Sequence, residues 1–113
     1  MNTPPRESTN LSADAQACLS RAALAHTAME HAAQNVTLAA DALRRYAKFS
    51  RPGQPSAHIV QLRQNQAAAR MASVQARQAF AVAAQAFFRA SGSTLPPGVT
   101  LESFVRMWIH HAS

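Results

Sequence analysis

The chain has 113 residues, which suits a single domain, and 26 of them are alanine. Ten arginines and one lysine outweigh five acidic residues, so the formal charge at pH 7 is +6. This excess favours acidic partners, such as nucleic acid or an acidic protein surface, or serves solubility alone. The single cysteine, Cys18, excludes an intramolecular disulfide and is expected to be a buried, inert thiol.

The first ten residues are polar, contain two prolines and lack an apolar stretch. We predict that residues 1–10 form a disordered arm. Residues 11–113 are expected to form one helical domain, with helices over about 12–49, 56–91 and 100–111. No run of about 20 apolar residues is present that could span a membrane. A cytoplasmic location is the expectation, with export by a route that needs no signal peptide left open.

The first predicted helix carries an apolar line with a heptad spacing. Ser12 is a suitable N-cap, and Asp14 in the first turn interacts favourably with the helix dipole. Apolar residues alternate four and three positions apart, which places them on one face and predicts packing against a second helix. The line consists of Leu11, Ala15, Cys18, Ala22, Ala25, Met29, Ala32, Val36, Ala39, Leu43 and Tyr46.

A short turn separates this helix from the next one. Residues 50–55, Ser-Arg-Pro-Gly-Gln-Pro, are expected to end the first helix, because a residue that precedes proline avoids the α conformation. Ser56 can then cap the second helix. A loop this short between two long helices predicts an antiparallel hairpin.

The second predicted helix contains no glycine or proline and is rich in alanine, glutamine and arginine, which all favour helix. Phe80 and Phe87 flank its predicted seam, which has Asn65 on the same line. The seam consists of Leu62, Ala69, Ala72, Ala76, Ala79, Ala83, Ala86 and Ala90. A weaker apolar patch on another side predicts a second neighbour, and consists of Val60, Met71, Val74, Val82 and Phe88.

One flank of the second helix is predicted to be basic. Arg63, Arg70 and Arg77 are seven residues apart and therefore lie in one row. Such a row is a solvated flank in most helices, but arginine also binds carboxylates and phosphates in bidentate fashion. No aromatic residues alternate with these arginines, so stacking on nucleic acid bases is not indicated.

The C-terminal segment holds the densest group of large apolar residues. Gly92 is expected to end the second helix and Thr100 to cap a third. The apolar face of this third helix is expected to cover an end of the hairpin or the same site on a second copy; it consists of Leu101, Phe104, Val105, Trp108 and Ile109. The predicted fold is all-α: a long antiparallel alanine-rich hairpin with a short C-terminal helix, paired into a homodimer that resembles a four-helix bundle.

Catalytic chemistry is not indicated. The five acidic residues are scattered, and the chain contains no phosphate-binding glycine loop, nucleophile motif or CxxC pair. His26 and Glu30, one turn apart, come nearest to a metal-binding pattern, but an exposed pair at this spacing is the ordinary interpretation. We therefore expect no enzyme activity, cofactor or metal.

Two families have a similar hairpin layout. Pro52-Gly53-Gln54-Pro55 resembles the turn of type III secretion needle subunits, although the first helix is longer here and a further helix follows. The layout also resembles the WxG-type secreted hairpins, whose Trp-x-Gly turn is absent from this chain. Neither resemblance assigns a functional role to any residue of this chain.

Three functional hypotheses follow from the sequence. The first is a non-catalytic interaction module, an adaptor, chaperone or inhibitor, that docks on an acidic protein surface. Its predicted contacts are Arg63, Arg70, Arg77, Phe104 and Trp108, because arginine and tryptophan are frequent at interface centres. The second is a nucleic-acid-binding protein that uses the arginine row on phosphates, and the third is a structural subunit of a secretion or phage assembly.

Overall fold

The computed structural model describes residues 11–48, 53 and 56–112. They form three α-helices, α1 (Ala13–Ala47), α2 (Ala57–Ser91) and α3 (Leu101–Ala112), and no strand occurs in these ranges. Each helix boundary lies within about two residues of the predicted one, the usual uncertainty of a helix end. The all-α prediction is confirmed. The predicted disordered arm and most of the turn around Pro52 lie outside the described residues.

Local hydrogen bonds confirm the three predicted N-caps. The backbone N–H groups of Ala15, Ile59 and Ser103 each donate to a hydroxyl three residues earlier, at 3.1 Å in each case. The acceptors are Ser12, Ser56 and Thr100. Each cap satisfies one of the amide groups that the first turn leaves without a helical partner.

Gly92 ends α2 as predicted. Its φ is +67°, in the left-handed region that glycine enters without the steric cost of a Cβ atom. Its N–H donates to the carbonyl of Arg89 at 3.3 Å. Residues 93–100 then lead to α3, which begins at Leu101.

The two long helices pack against each other as an antiparallel hairpin. Two edge-to-face ring contacts show the direction: His26 lies 5.3 Å from Phe80, and Tyr46, nearer the turn, lies 4.8 Å from His58. Contacts within the chain cluster into two units. The described residues of the three-helix unit are 11–27 and 78–112, and those of the hairpin unit are 28–48, 53 and 56–77.

The three-helix unit holds nearly all of the large buried side chains. Phe80 and Phe87 of α2 are fully buried, and so is Val105 of α3. Trp108 lies edge-on to Phe87 with ring centroids 5.7 Å apart, and Phe104 lies 5.9 Å from Phe88. The third helix therefore covers α2 within the same chain, one of the two arrangements expected from the sequence.

The hairpin unit has a much thinner core. Ala32 of α1 and Ile59 of α2 are buried, whereas the neighbouring seam residues Val36, Leu43 and Leu62 are only half-buried. Because hydrophobic stabilisation scales with buried apolar area at about 25 cal/mol per Å², this unit gains less per residue from its core than the three-helix unit.

The apolar line of α1 is buried or half-buried from Leu11 to Leu43, as its heptad spacing predicted. Tyr46, its last member, is 42% exposed. The line continues into both units, since α1 belongs to each of them in part.

The predicted seam of α2 consists of two columns, each made of residues seven positions apart, and the prediction is wrong for one of the two. The column Leu62, Ala69, Ala76, Ala83 and Ala90 is half-buried as expected. The other predicted members, Asn65, Ala72, Ala79 and Ala86, are exposed. The column that replaces them is one residue further on, and consists of Ile59, Gln66, Ser73, Phe80 and Phe87. The helix turns toward the column that contains the two phenylalanines because they bury far more apolar area than alanines do.

Candidate functional site

The charge of the protein is concentrated in the hairpin unit. Residues 28–77 hold seven basic and two acidic residues, which gives a net charge of +5 out of +6 for the whole chain. The remainder of the chain holds four basic and three acidic residues and is close to neutral. A positive field therefore arises mainly from the hairpin unit.

Helix α2 contributes much of this field because it contains no aspartate or glutamate. Arg63, Arg70 and Arg77 are all exposed, and successive members of the row lie about 10 Å apart along the helix axis. Within the described ranges none of the three takes part in an ion pair. The row therefore presents three guanidinium groups that no carboxylate of its own helix neutralises.

Two arginines outside this row form ion pairs within the described ranges, whereas others, such as Arg89 on the same helix, form none. Arg44 forms an ion pair with Asp41, and Arg106 lies 3.8 Å from Glu102, each pair within one helix. Exposed pairs of this kind add little stability, about 0–1 kcal/mol, but they offset charge locally. No ion pair within the described ranges offsets the positive charge of the arginine row on α2.

Exposed apolar side chains lie beside the arginine row. Met71 is 60% exposed, and Val60 and Val74 are about 40% exposed. Arg70 and Val74 are four residues apart and Val74 and Arg77 three, which are neighbouring positions on a helix surface. We call this surface the outer face of α2, defined by the exposed residues Val60, Arg63, Gln64, Ala67, Arg70, Met71, Val74 and Arg77.

The two aromatic residues that were predicted to contact a partner lie in the core of the three-helix unit. Phe104 is 6% exposed and Trp108 is 3% exposed. The indole Nε1 of Trp108 has no hydrogen-bond partner within the described part of the chain, so packing alone holds the ring. Partner contact through Phe104 and Trp108 stays a prediction, and the function proposed below depends only on exposed residues.

Histidine, cysteine and acidic side chains are the groups that most often hold a metal ion in proteins. In the described ranges, no three histidine, cysteine, aspartate or glutamate side chains are grouped closely enough to hold a metal ion. The His26 ring packs edge-on against Phe80, and the thiol of Cys18 is buried.

Two open grooves lie within the three-helix unit. One, of about 400 Å³, has no ionisable lining residue, and is lined by Leu19, Ser20, Ala23, Thr27, Ile109 and Ala112. The other, of about 450 Å³, is lined by Ala81, Gln85, Thr100, Leu101 and Glu102. The second groove brings together three polar side chains, and Glu102 is the ionisable one among them.

No helix in the described part of the chain has the length and apolar character needed to cross a bilayer. Comparisons of the chain with protein-family models, with curated proteins and with solved structures gave no significant match.

Proposed function

We propose that this protein is a non-catalytic helical interaction module that docks on an acidic surface of a protein partner. The observation that carries the proposal is the acid-free helix α2, which presents Arg63, Arg70 and Arg77 without intrachain ion pairs. Carboxylates of a partner would give these guanidinium groups the bidentate hydrogen bonds that they lack in the chain itself.

The neighbouring apolar side chains favour a protein partner over nucleic acid. Val60, Met71 and Val74 add an apolar surface next to the arginines. Interface centres combine arginine, methionine and apolar surface, whereas a phosphate backbone leaves apolar side chains uncovered. The arginine row also lacks the interleaved aromatic residues that would stack on single-stranded bases.

The test compares partner capture by the full-length chain with capture by a triple variant, Arg63→Gln, Arg70→Gln and Arg77→Gln. Cell extract treated with nuclease is used, captured proteins are identified by mass spectrometry, and binding is then measured with the purified partner. We expect the variant to lose at least about tenfold in affinity, and binding by the native chain to weaken with added salt.

A matched control carries the same exchange at three exposed arginines of the three-helix unit, Arg21, Arg89 and Arg106. Both triple variants have a net charge of +3 instead of +6, so a difference between them reflects position rather than total charge. Equal loss in both variants would contradict a defined docking surface. A parallel capture from untreated extract is compared, and loss of all captured protein on nuclease treatment would identify a nucleic-acid-binding protein. Filaments or rings in electron micrographs would identify a structural subunit.

A further inference from the structure

The outer face of α2 follows a second heptad pattern, separate from the seam that packs on α1. One seam position recurs at residues 60, 67 and 74 and is apolar throughout: valine, alanine, valine. The other seam position recurs at residues 64 and 71, where Gln64 is polar and Met71 is apolar. The position before it, at residues 63, 70 and 77, is arginine in every repeat. Seam positions flanked by one sign of charge are the pattern by which one helix of a coiled coil selects another.

From this pattern we infer that the outer face binds an amphipathic helix of the partner, whose apolar heptad seam is flanked by glutamate or aspartate. The inference rests on the proposed function, because it specifies the form of the acidic surface. A helix laid along α2 covers Val60, Met71 and Val74 with its own seam. Its flanking carboxylates then lie opposite Arg63 and the other members of the row, which are spaced one heptad apart.

A second copy of the chain is a poorer occupant. In an antiparallel pair of outer faces, the arginine row of one chain lies opposite the same row of the other, which is repulsive. In a parallel pair the row lies opposite Gln61, Ala68 and Gln75, which are neutral and gain no ion pair. An acidic helix gains three charge pairs in either orientation.

A lipid surface also fits less well. Helices that lie in the membrane interface insert large side chains such as Trp, Phe and Leu from a wide apolar face. The outer face offers one methionine, two valines and one alanine between its arginines. Its apolar strip is narrow enough for a single helix to cover.

The test uses a synthetic peptide of about four heptads with leucine at both seam positions and glutamate at both flanking positions. Fluorescence anisotropy reports its binding to the full-length chain. Two matched peptides carry either lysine at the flanking positions or the same glutamate composition in scrambled order. We expect the glutamate helix to bind at least about tenfold more tightly than either matched peptide.

Variants of the full chain separate charge from apolar contact. Reversal of the row, Arg63→Glu, Arg70→Glu and Arg77→Glu, should invert the preference so that the lysine helix binds more tightly than the glutamate helix. The double variant Met71→Gln and Val74→Gln should bind the glutamate helix with an affinity at least about tenfold lower than that of the native chain. Its weak affinity for the scrambled peptide should stay unchanged. Circular dichroism checks that each variant remains helical.

The possible failures are distinguishable. Equal binding of the helical and scrambled glutamate peptides would overturn the helix-binding inference and leave the acidic-surface proposal standing. Preference for a double-stranded oligonucleotide or for phosphatidylserine vesicles over every acidic peptide would overturn both. A dimer that the Met71→Gln and Val74→Gln changes abolish would assign the face to a second copy and overturn this inference alone.

Discussion

At the level of single residues, a few large side chains dominate the core of the three-helix unit. Phe80 and Phe87 are completely buried, whereas most residues around them in α2 are alanines. A fully buried phenylalanine contributes about 1.5–3 kcal/mol through the hydrophobic effect, and an alanine far less. Stability should therefore be sensitive to these two positions and insensitive to most of the exposed apolar residues.

Phe87→Ala should lower the free energy of unfolding by about 3–5 kcal/mol, because it removes a buried ring and leaves a cavity beside Trp108. Urea unfolding followed by circular dichroism measures the change. The matched control is Val82→Ala on the same helix, where the side chain is 70% exposed and the expected change is within about 0.5 kcal/mol. Similar losses for both variants would contradict the packing described here.

The residues that sequence reasoning placed correctly are those whose partners are close in the chain. Ser12, Ser56 and Thr100 bond to amides three residues away, and Gly92 ends its own helix, so short sequence patterns were enough. The burial of Trp108 depends on where α3 docks. No local pattern reveals whether its apolar face covers the same chain or another one.

At the level of whole helices, α2 shows why an alanine-rich sequence leaves the register ambiguous. Alanines occur at heptad spacing in two adjacent columns, and each alanine buries so little area that neither column is strongly preferred. The large side chains of Phe80 and Phe87 decide which column is buried. Gln66 and Ser73 lie in the same column as these two residues and Ile59, and are therefore half-buried. The hairpin itself was predictable because helix length and the turn sequence do not depend on this register.

The observed register can be tested by the same exchange at two positions five residues apart. Ala84 is fully buried and Ala79 is exposed. Ala84→Gln should lower the free energy of unfolding by about 2 kcal/mol or more, because a longer polar side chain must enter a packed core. Ala79→Gln should change it by less than about 0.5 kcal/mol. Urea denaturation of both variants measures the two changes. A larger loss of stability for Ala79→Gln than for Ala84→Gln would support the seam predicted from the sequence instead.

At the level of the whole molecule, the fold divides the charge unevenly in a way that composition alone does not show. The total of +6 favoured an acidic partner or served solubility alone, and the spacing of Arg63, Arg70 and Arg77 predicted a row on one flank. Sequence reasoning did not connect that row with Val60 and Met71, although all of them obey one heptad count. The signal was present, but the apolar residues were interpreted as a separate patch.

The homodimer stays a prediction, and the net charge determines the direction in which salt should shift the monomer–dimer equilibrium. Each chain carries +6, so two chains repel at low ionic strength, while exposed side chains of α1 such as Leu24 and Leu38 favour association. Sedimentation velocity at micromolar concentrations should show a monomer–dimer equilibrium that shifts toward the dimer as salt is added.

The variant with glutamine at positions 63, 70 and 77 carries +3 and should show a weaker dependence on salt for the same reason. A monomer at every concentration and salt level would rule the dimer out. A dimer that dissociates as salt is added would instead mean that the two chains meet through ion pairs. The few acidic residues of the hairpin unit, Glu30 and Asp41, would then have to face the arginines of the other chain.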